Sequence, residues 1–506
     1  MILTWLIVVP FAGGLLAWLL GRRPAWARAV ALAATLLDLA LVAALWLGAS
    51  GPGLSGGPRP DGPGAWIVEQ QAEWIPRFGI SYHLALDGLS LPLVGLTALI
   101  GVIAVLVSWR EIERRVGLFH AALLWVLAGV MGVFLALDLF LFYFFWEVML
   151  VPMYFLIGVW GHERRIYAAV KFFLFTLAGG LLLLVAIVAL HSIHGAQTGV
   201  YTFDAPALLG TVLDLDVARL LMLGFLAGFL VKLPAVPLHT WLPDAHSQAP
   251  TAGSVVLAAL LLKTGAYGIL RFAVLLFPAA AREFAPLAML LGVIGILYGA
   301  VLAYGQTDLK RLVAYTSVSH MGFVLLGSFA GTPEALQGTV IQMIAHGIST
   351  GALFVIAGML AERTGTRDLA RMGGFWATMP RMGAFTLVFV MASLGLPGLG
   401  NFVGEILILV GVFRAHPGYA AIGAIGIVFA TIYSLALMQR VFHGAHAGQA
   451  LAGRPTLPRA DLTPREALVL AVLAAAIVGL GLYPQPIIHA AEPAVAAIGA
   501  ALSGGF

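Results

Sequence analysis

Residues 217–246 read VARLLMLGFLAGFLVKLPAVPLHTWLPDAH. Apart from Arg219, every residue up to Val231 is apolar or glycine. Lys232 then interrupts the run, and Pro234 and Pro237 follow it. A lysine deep in a bilayer-spanning helix costs about 2.5–3.5 kcal/mol on insertion scales. Each proline removes a backbone donor and kinks or interrupts the helix. Backbone freed at membrane depth is tolerated only beside protein or water. The stretch therefore reads as a membrane helix broken at a charge, which is the construction of a transport site rather than of an anchor.

The rest of the chain agrees with that reading. Of its 506 residues, 61% are hydrophobic and 10% charged, whereas a soluble domain carries roughly 25% charged residues. Run after run reaches the length of about 20 apolar residues that crosses a bilayer. Fourteen spans are expected, near 2–20, 27–48, 84–108, 118–137, 138–157, 167–191, 217–236, 251–277, 285–304, 311–330, 336–360, 383–412, 418–440 and 466–485. The Pro/Gly-rich stretch 49–83 is the one sizeable outer loop, and 441–465 is a polar surface connection. The fold class is all-α and polytopic. Cys is absent, which removes disulfides, thiolate metal sites and iron–sulfur ligation together.

The basic residues set the orientation. The first apolar run has no basic segment before it and no small-residue cleavage site, and Arg22 and Arg23 follow it. It reads as a first span with its amino terminus outside. Of the 27 Lys and Arg, nineteen then fall on inner loops, six on the outer side, and Lys232 and Lys263 within spans. That asymmetry obeys the positive-inside rule and puts both termini outside.

Five charges are expected inside spans: Asp38, Glu147, Lys232, Lys263 and Glu405. Such residues persist where they face a wet cavity or a partner. Glu147 lies in FFWEVMLVPMY (144–154), Lys263 in LLLKTGAYGILR (260–271), and Glu405 closes LGLPGLGNFVGE (394–405). Glu147 and Lys232 form either a buried pair that only fixes packing or one that tunes the lysine's proton. Lys263 has no obvious partner in sequence, and an unpaired buried ammonium exchanges protons near neutral pH. Asp38 has no motif around it and reads as a packing or subunit-contact residue.

A second break falls at Gly395, Pro397, Gly398 and Gly400. Interrupted helices at corresponding positions of two halves point to a transport site between inverted repeats. Five spans over 118–277 and five over 285–440 make the two repeats, with the breaks in the fourth span of each. The segment 1–117 forms an amino-terminal three-helix unit, and 441–506 an inner loop with a carboxy-terminal span.

His320 in TSVSHMG (316–322) and His346 in MIAHGISTGALF (343–354) lie within spans, near Ser317, Ser319, Gln342, Ser349 and Thr350. A lone helical His is usually a packed, hydrogen-bonded residue. Two of them between Lys263 and Glu405, among hydroxyls, make a relay, since His accepts and donates protons near pH 7. No pair has the spacing of a transmembrane haem site. His239 and His246 flank Trp241 in a Pro-rich inner loop and suit a proton entrance or a loop scaffold.

The runs FFWEVMLVPMY, RRIYAAVKFFLFTLAGG (164–180), LVKLPAVPLHTWLPDAHSQAPTAGS (230–254), TDLKRLVAYTSVSHMG (307–322) and LPGLGNFVGE (396–405) resemble the M-type, subunit 4-like antiporter-like subunit of bacterial NADH–quinone oxidoreductase, respiratory complex I. The resemblance covers nearly the whole chain. The L-type relatives are longer and carry a lysine where Glu405 stands. The resemblance implies two inverted five-helix repeats, each a half-channel. It implies that Glu147 pairs with Lys232, that Lys263 is the central carrier, that His320 and His346 bridge, and that Glu405 opens outward. Lys171 matches a family position without a clear role, and Gly180 stands where the family pattern has serine.

The resemblance further implies a proton-translocating subunit of a redox-driven enzyme complex with no redox centre of its own. NADH, FMN, iron–sulfur clusters and quinone are expected on partner subunits, because this chain lacks Cys and any Gly-rich dinucleotide motif. The expected partners are L-type and N-type neighbours and the lipid bilayer of a bacterial inner membrane, with no nucleic acid and with both termini periplasmic. The alternative is a subunit of a multisubunit Na⁺/H⁺ antiporter or a membrane-bound hydrogenase. A pure scaffold is disfavoured by the intramembrane charges.

Overall fold

In lipid every backbone polar group must be satisfied within the protein, which leaves helices as the form open to these apolar runs. The computed structural model describes residues 1–49, 66–443 and 461–504. Its helices are α1 (Ile2–Leu19), α2 (Pro24–Ala49), α3 (Ser90–Glu111), α4 (Val116–Leu135), α5 (Leu139–Trp160), α6 (Arg165–Thr198), α7 (Leu215–Lys232), α8 (Trp241–Gln248) and α9 (Thr251–Leu276). They continue with α10 (Pro278–Tyr304), α11 (Leu309–Ser328), α12 (Pro333–Thr364), α13 (Pro380–Ser393), α14 (Gly400–Ala415), α15 (Pro417–His443), α16 (Pro464–Leu482) and α17 (Gln485–Ser503).

Twelve of these helices are long and apolar enough to cross a membrane. That set includes α17 and leaves out α7, α8, α11, α13 and α14. The pairs α7–α8 and α13–α14 are each interrupted at the break read from the sequence. Setting α17 aside, counting each pair as one crossing and adding α11 gives the fourteen segments expected. The last helix was not expected. The chain turns after Leu482, and α17 lies across the ends of other helices: the Ala490 carbonyl packs on Gly88, Arg282 donates to the Ala501 carbonyl at 2.8 Å, and Leu502 packs at Gly331. These positions mark the Arg-poor face. Part of the expected outer loop, from 66 on, is a hairpin on the same face: β1 (Val68–Ile75) pairs antiparallel with β2 (Ile80–Leu86). The rest of that loop with Arg59, and most of the 441–465 connection with Arg454 and Arg459, lie outside the described residues.

Between lipid-facing helices the hydrophobic effect supplies little, so close contact of small residues takes its place. Gly292 and Gly299 of α10 are backed by the backbone of α11, where Gly322 lies against the main chain of Ile296 and Gly292. A side chain at any of these positions would force the two helices apart. The most apolar stretches of α9 and α12 are buried throughout. These two helices form the axis of the bundle, and they carry Lys263 and His346.

Two local devices recur. Asp138 caps α5, its carboxylate accepting from the Phe140 and Leu141 amides, and Asp308 caps α11, accepting from the Arg311 amide. Each cap adjoins a short two-stranded bridge. Leu139 N donates to Phe203 O at 2.8 Å and Ala205 N to Leu137 O at 3.0 Å; Leu309 N donates to Arg367 O at 2.9 Å and Leu369 N to Thr307 O at 2.8 Å. In each case the start of one crossing is pinned to the loop two helices later.

Candidate functional site

The α7 helix ends on Lys232 itself, and the chain resumes as helix only at Trp241. The lysine is buried with its ammonium 5.0 Å over the Trp146 ring, and no hydrogen-bond partner reaches its Nζ. Glu147 follows Trp146 on α5, and its Oε1 is likewise without a partner. The expected Glu147–Lys232 contact pair is therefore not formed. The two charges act on one another through space, while the indole takes the position against the ammonium. Gly180, the departure from the family pattern, packs directly on Glu147: a Cβ there would stand 2.5 Å from Oε1.

Lys263 is fully buried. Its helix passes through a π-helical turn at Leu257–Leu261. Such a turn widens the helix, commonly at functional sites. Here Nζ donates to the Ala258 carbonyl at 2.5 Å and meets His346 Nδ1 at 2.6 Å. Lys263 had no partner visible along the chain because His346 lies 83 residues away, on α12. The His346 and His320 rings then face edge to face-on at 5.6 Å. His320 Nδ1 lies 2.7 Å from Glu405 Oε1, and Gln342 Nε2 donates to the same oxygen at 2.8 Å. Lys263, His346, His320 and Glu405 thus stand in sequence, each buried to within about 2% of complete enclosure.

The second break sets the end of this row. Gly395 and Gly398 have φ of 82° and 90°, conformations that glycine adopts at little cost. They let the chain turn between α13 and α14, and Gly395 packs on Glu405 Oε2. Asn401, one turn before Glu405, is buried with neither amide atom partnered. Ser349, Thr350 and His346 Nε2 are also buried without partners.

Other expected residues separate from the row. His246, read as part of an inner loop, lies on α8, fully buried, with both ring nitrogens unpartnered and its ring stacked on Phe354 at 4.5 Å. The prolines after Lys232 end one helix and let a second begin, which carries His246 into the bundle. His239 is buried beside Tyr298 and Tyr315. Lys171 pairs with Asp244 at 2.7 Å, and Asp244 also binds Arg311 at 2.7 Å, so α6, α8 and α11 are tied at the Arg-rich face. On that face a cavity of about 370 Å³ reaches Glu111, His162, Thr251 and Lys310. Asp38 is buried on α2, with one carboxylate oxygen unpartnered, away from the row. Among the described residues no group of three or more His, Asp or Glu is placed to hold a metal ion.

Sequence reading missed Ser393 and Tyr433, whose hydroxyls stand 3.1 and 3.2 Å from His320 Nε2. Neither residue bears a charge, so neither was signalled by its cost in lipid.

Residues 136–432 match the family described as NADH:quinone oxidoreductase/Mrp antiporter, transmembrane. The chain is 53% identical to the Pseudomonas aeruginosa protein named NADH-quinone oxidoreductase subunit M, over 99% of both chains. It is similar in structure to a chain of respiratory complex I from Thermus thermophilus, with TM-score 0.85, 31% identity and 99% of each chain covered. It also resembles a chain of the Mrp complex from Dietzia, with TM-score 0.81 and 25% identity, but spans 52% of that longer chain. The full-length match at high identity favours the first kind of relative over the second. The chain belongs to the M-type antiporter-like membrane subunits of NADH–quinone oxidoreductase.

Proposed function

We propose that protons cross this membrane-arm subunit along a path built from Glu147, Lys232, Lys263, His346, His320 and Glu405. The observation that carries the reading is the buried row from Lys263 to Glu405, with Nζ to Nδ1 at 2.6 Å at one end and Nδ1 to Oε1 at 2.7 Å at the other. Four titratable groups buried at membrane depth are too costly to serve packing alone. Each is a type that takes up and gives up a proton. Lys263 passes a proton from Nζ to His346, intervening water carries it from His346 to His320, whose ring centroids are 5.6 Å apart, and His320 passes it from Nδ1 to Glu405. Glu147 and Lys232 sit upstream, where a change in one charge alters the hold on the other.

The two half-channels are assigned to residues 118–277 and 285–440. The paired caps, bridges and interrupted helices support this division. The cavity at the Arg-rich face, with Lys310 at its wall and unpartnered His246 behind it, supports an inlet there. The Glu405 end then faces the periplasm, as do both termini. Electron transfer from NADH to quinone, with FMN and iron–sulfur clusters, is placed on partner subunits, and L-type and N-type subunits flank this one.

The test is NADH-driven proton uptake by proteoliposomes holding the assembled complex. Glu405→Gln and Lys263→Ala should each abolish this subunit's share of pumping while assembly persists. Full pumping by either variant in an assembled complex would sink the path.

A further inference from the structure

Tyr433 is buried to 1% exposure on α15, and nothing in the path above uses it. Its hydroxyl is 3.2 Å from His320 Nε2, and the Ser393 hydroxyl is 3.1 Å from the same nitrogen. The other ring nitrogen faces Glu405. One imidazole is therefore held between a carboxylate on one side and two hydroxyls on the other.

The position of Tyr433 in its helix is equally specific. A π-helical turn, Ile269–Ala273, begins six residues after Lys263 on α9. Another, Gln439–His443, begins six residues after Tyr433 on α15. Each is the fifth crossing of its five. Measured from these turns, Tyr433 stands in the second set where Lys263 stands in the first. The symmetry argument rests on the two-repeat reading; the contacts with His320 do not.

We infer that Tyr433, together with Ser393, is a positioning residue that holds His320 in register through a change of tautomer. When Glu405 is ionised and His320 neutral, Nδ1–H donates to the carboxylate, and Nε2 is an acceptor that needs a donor. When His320 is doubly protonated, Nε2–H is a donor that needs an acceptor. After the Nδ1 proton has moved to Oε1 of Glu405, the carboxyl O–H donates back to Nδ1 and Nε2–H still needs its acceptor. A hydroxyl both donates and accepts, so it serves all three states. An apolar neighbour serves none and leaves a buried nitrogen unpaired. Without the hydroxyls the ring is free to turn from Glu405, and transfer slows.

The test uses the assembled complex in proteoliposomes, with Tyr433→Phe, Ser393→Ala, the double variant, and Glu405→Gln in parallel. Each single change leaves one hydroxyl and should lower pumping about two- to threefold. The double change should lower it by about tenfold or more, beyond the product of the singles, as expected when a buried donor is left unpaired. The pH profile of pumping should move in the double variant by about half a unit or more, because Nε2 has lost its partners. A purely structural defect would scale the profile down without moving it. Wild-type rate and profile in the double variant, with Glu405→Gln inactive, would overturn this inference alone. Normal pumping by Glu405→Gln would instead overturn the path on which it rests. Should the double variant fail to assemble, Tyr433→Phe, which removes a single oxygen, decides: an unchanged rate and profile overturn the inference.

Discussion

Lys263 and His346 share a single hydrogen bond, 2.6 Å from Nζ to Nδ1, between the two helices whose most apolar stretches are buried throughout. The geometry admits one proton between the two nitrogens. An ammonium donates to a bare Nδ1, or a protonated Nδ1 donates to a neutral amine; two donors cannot face each other. The Ala258 carbonyl at 2.5 Å accepts from either form of the lysine. On the proposed path, Lys263 would hold a proton and pass it to this one neighbour.

The first prediction separates holding from surrender. Lys263→Ala removes the carrier, and pumping through this subunit should stop. Lys263→Arg keeps a positive charge, but a guanidinium does not deprotonate in proteins. Arg should therefore fall within about threefold of Ala if release of the proton matters. Proton uptake per NADH oxidised, normalised to assembled complex, decides the matter. Wild-type pumping by the Arg variant would recast Lys263 as a fixed charge.

A second prediction concerns Gly180, which packs on Glu147 Oε1. That oxygen has no partner, and its tip can shift to admit a small side chain. Gly180→Ser adds a donor beside it, and pumping should stay within about twofold of wild type, since a hydrogen bond to a charged group offsets about 1.5–3 kcal/mol. Gly180→Ala displaces the carboxylate without a donor and should pump less than Ser. Gly180→Val should be worst. Equal rates for Ser and Ala would show that the hydroxyl does not engage Glu147.

The break at Lys232, the burial of the charges and the span count were legible in the sequence because each carries a large cost in lipid. Partners across the bundle were not. His346 for Lys263, and Trp146 rather than Glu147 beneath Lys232, follow from helix packing that no local pattern encodes. The α17 helix escaped because it is amphipathic and lies on a face, where hydropathy gives a weak signal. The β-hairpin escaped because it follows a Pro/Gly-rich stretch. Tyr433 and Ser393 escaped because a neutral hydroxyl at a helix interface looks like ordinary packing.

A third prediction lies outside the membrane, where His83 of β2 meets Asp204 through Nδ1 at 2.5 Å and Glu69 through Nε2 at 3.0 Å. Burial pulls the imidazole pKa down, but the hydrogen bond and charge of Asp204, then those of Glu69, outweigh it and raise the pKa above 6.5. Asp138 holds the neighbouring Ser81 amide and hydroxyl. Because the folded value is raised, the imidazolium's contribution is fully present below the unfolded value and is lost as pH rises through the folded one. The hairpin should exchange its amides faster at about pH 9 than at about pH 6, after correction for intrinsic rates. His83→Ala should abolish that difference. A corrected rate independent of pH in the wild type would refute the clamp.

The last prediction concerns reach at Glu405. Its Oε1 accepts from Gln342 and meets His320, while Oε2 lies toward Gly395 at the break. Glu405→Asp keeps a titratable carboxyl but withdraws it by one methylene, so it cannot hold His320 at 2.7 Å without a shift of α14. Partial pumping, lower by about three- to tenfold, is expected, since a displacement of roughly 1 Å is costly for transfer. Glu405→Gln keeps the size and hydrogen-bonding capacity but removes the exchangeable charge, so it should not pump. Gln342→Ala should fall between wild type and Asp, because it frees Oε1 of one donor and leaves the proton path intact. Proton uptake measured across this series in assembled complex tests the order. If Gln at 405 outperformed Asp, geometry rather than protonation would govern this end, and Glu405 could not be where the proton leaves.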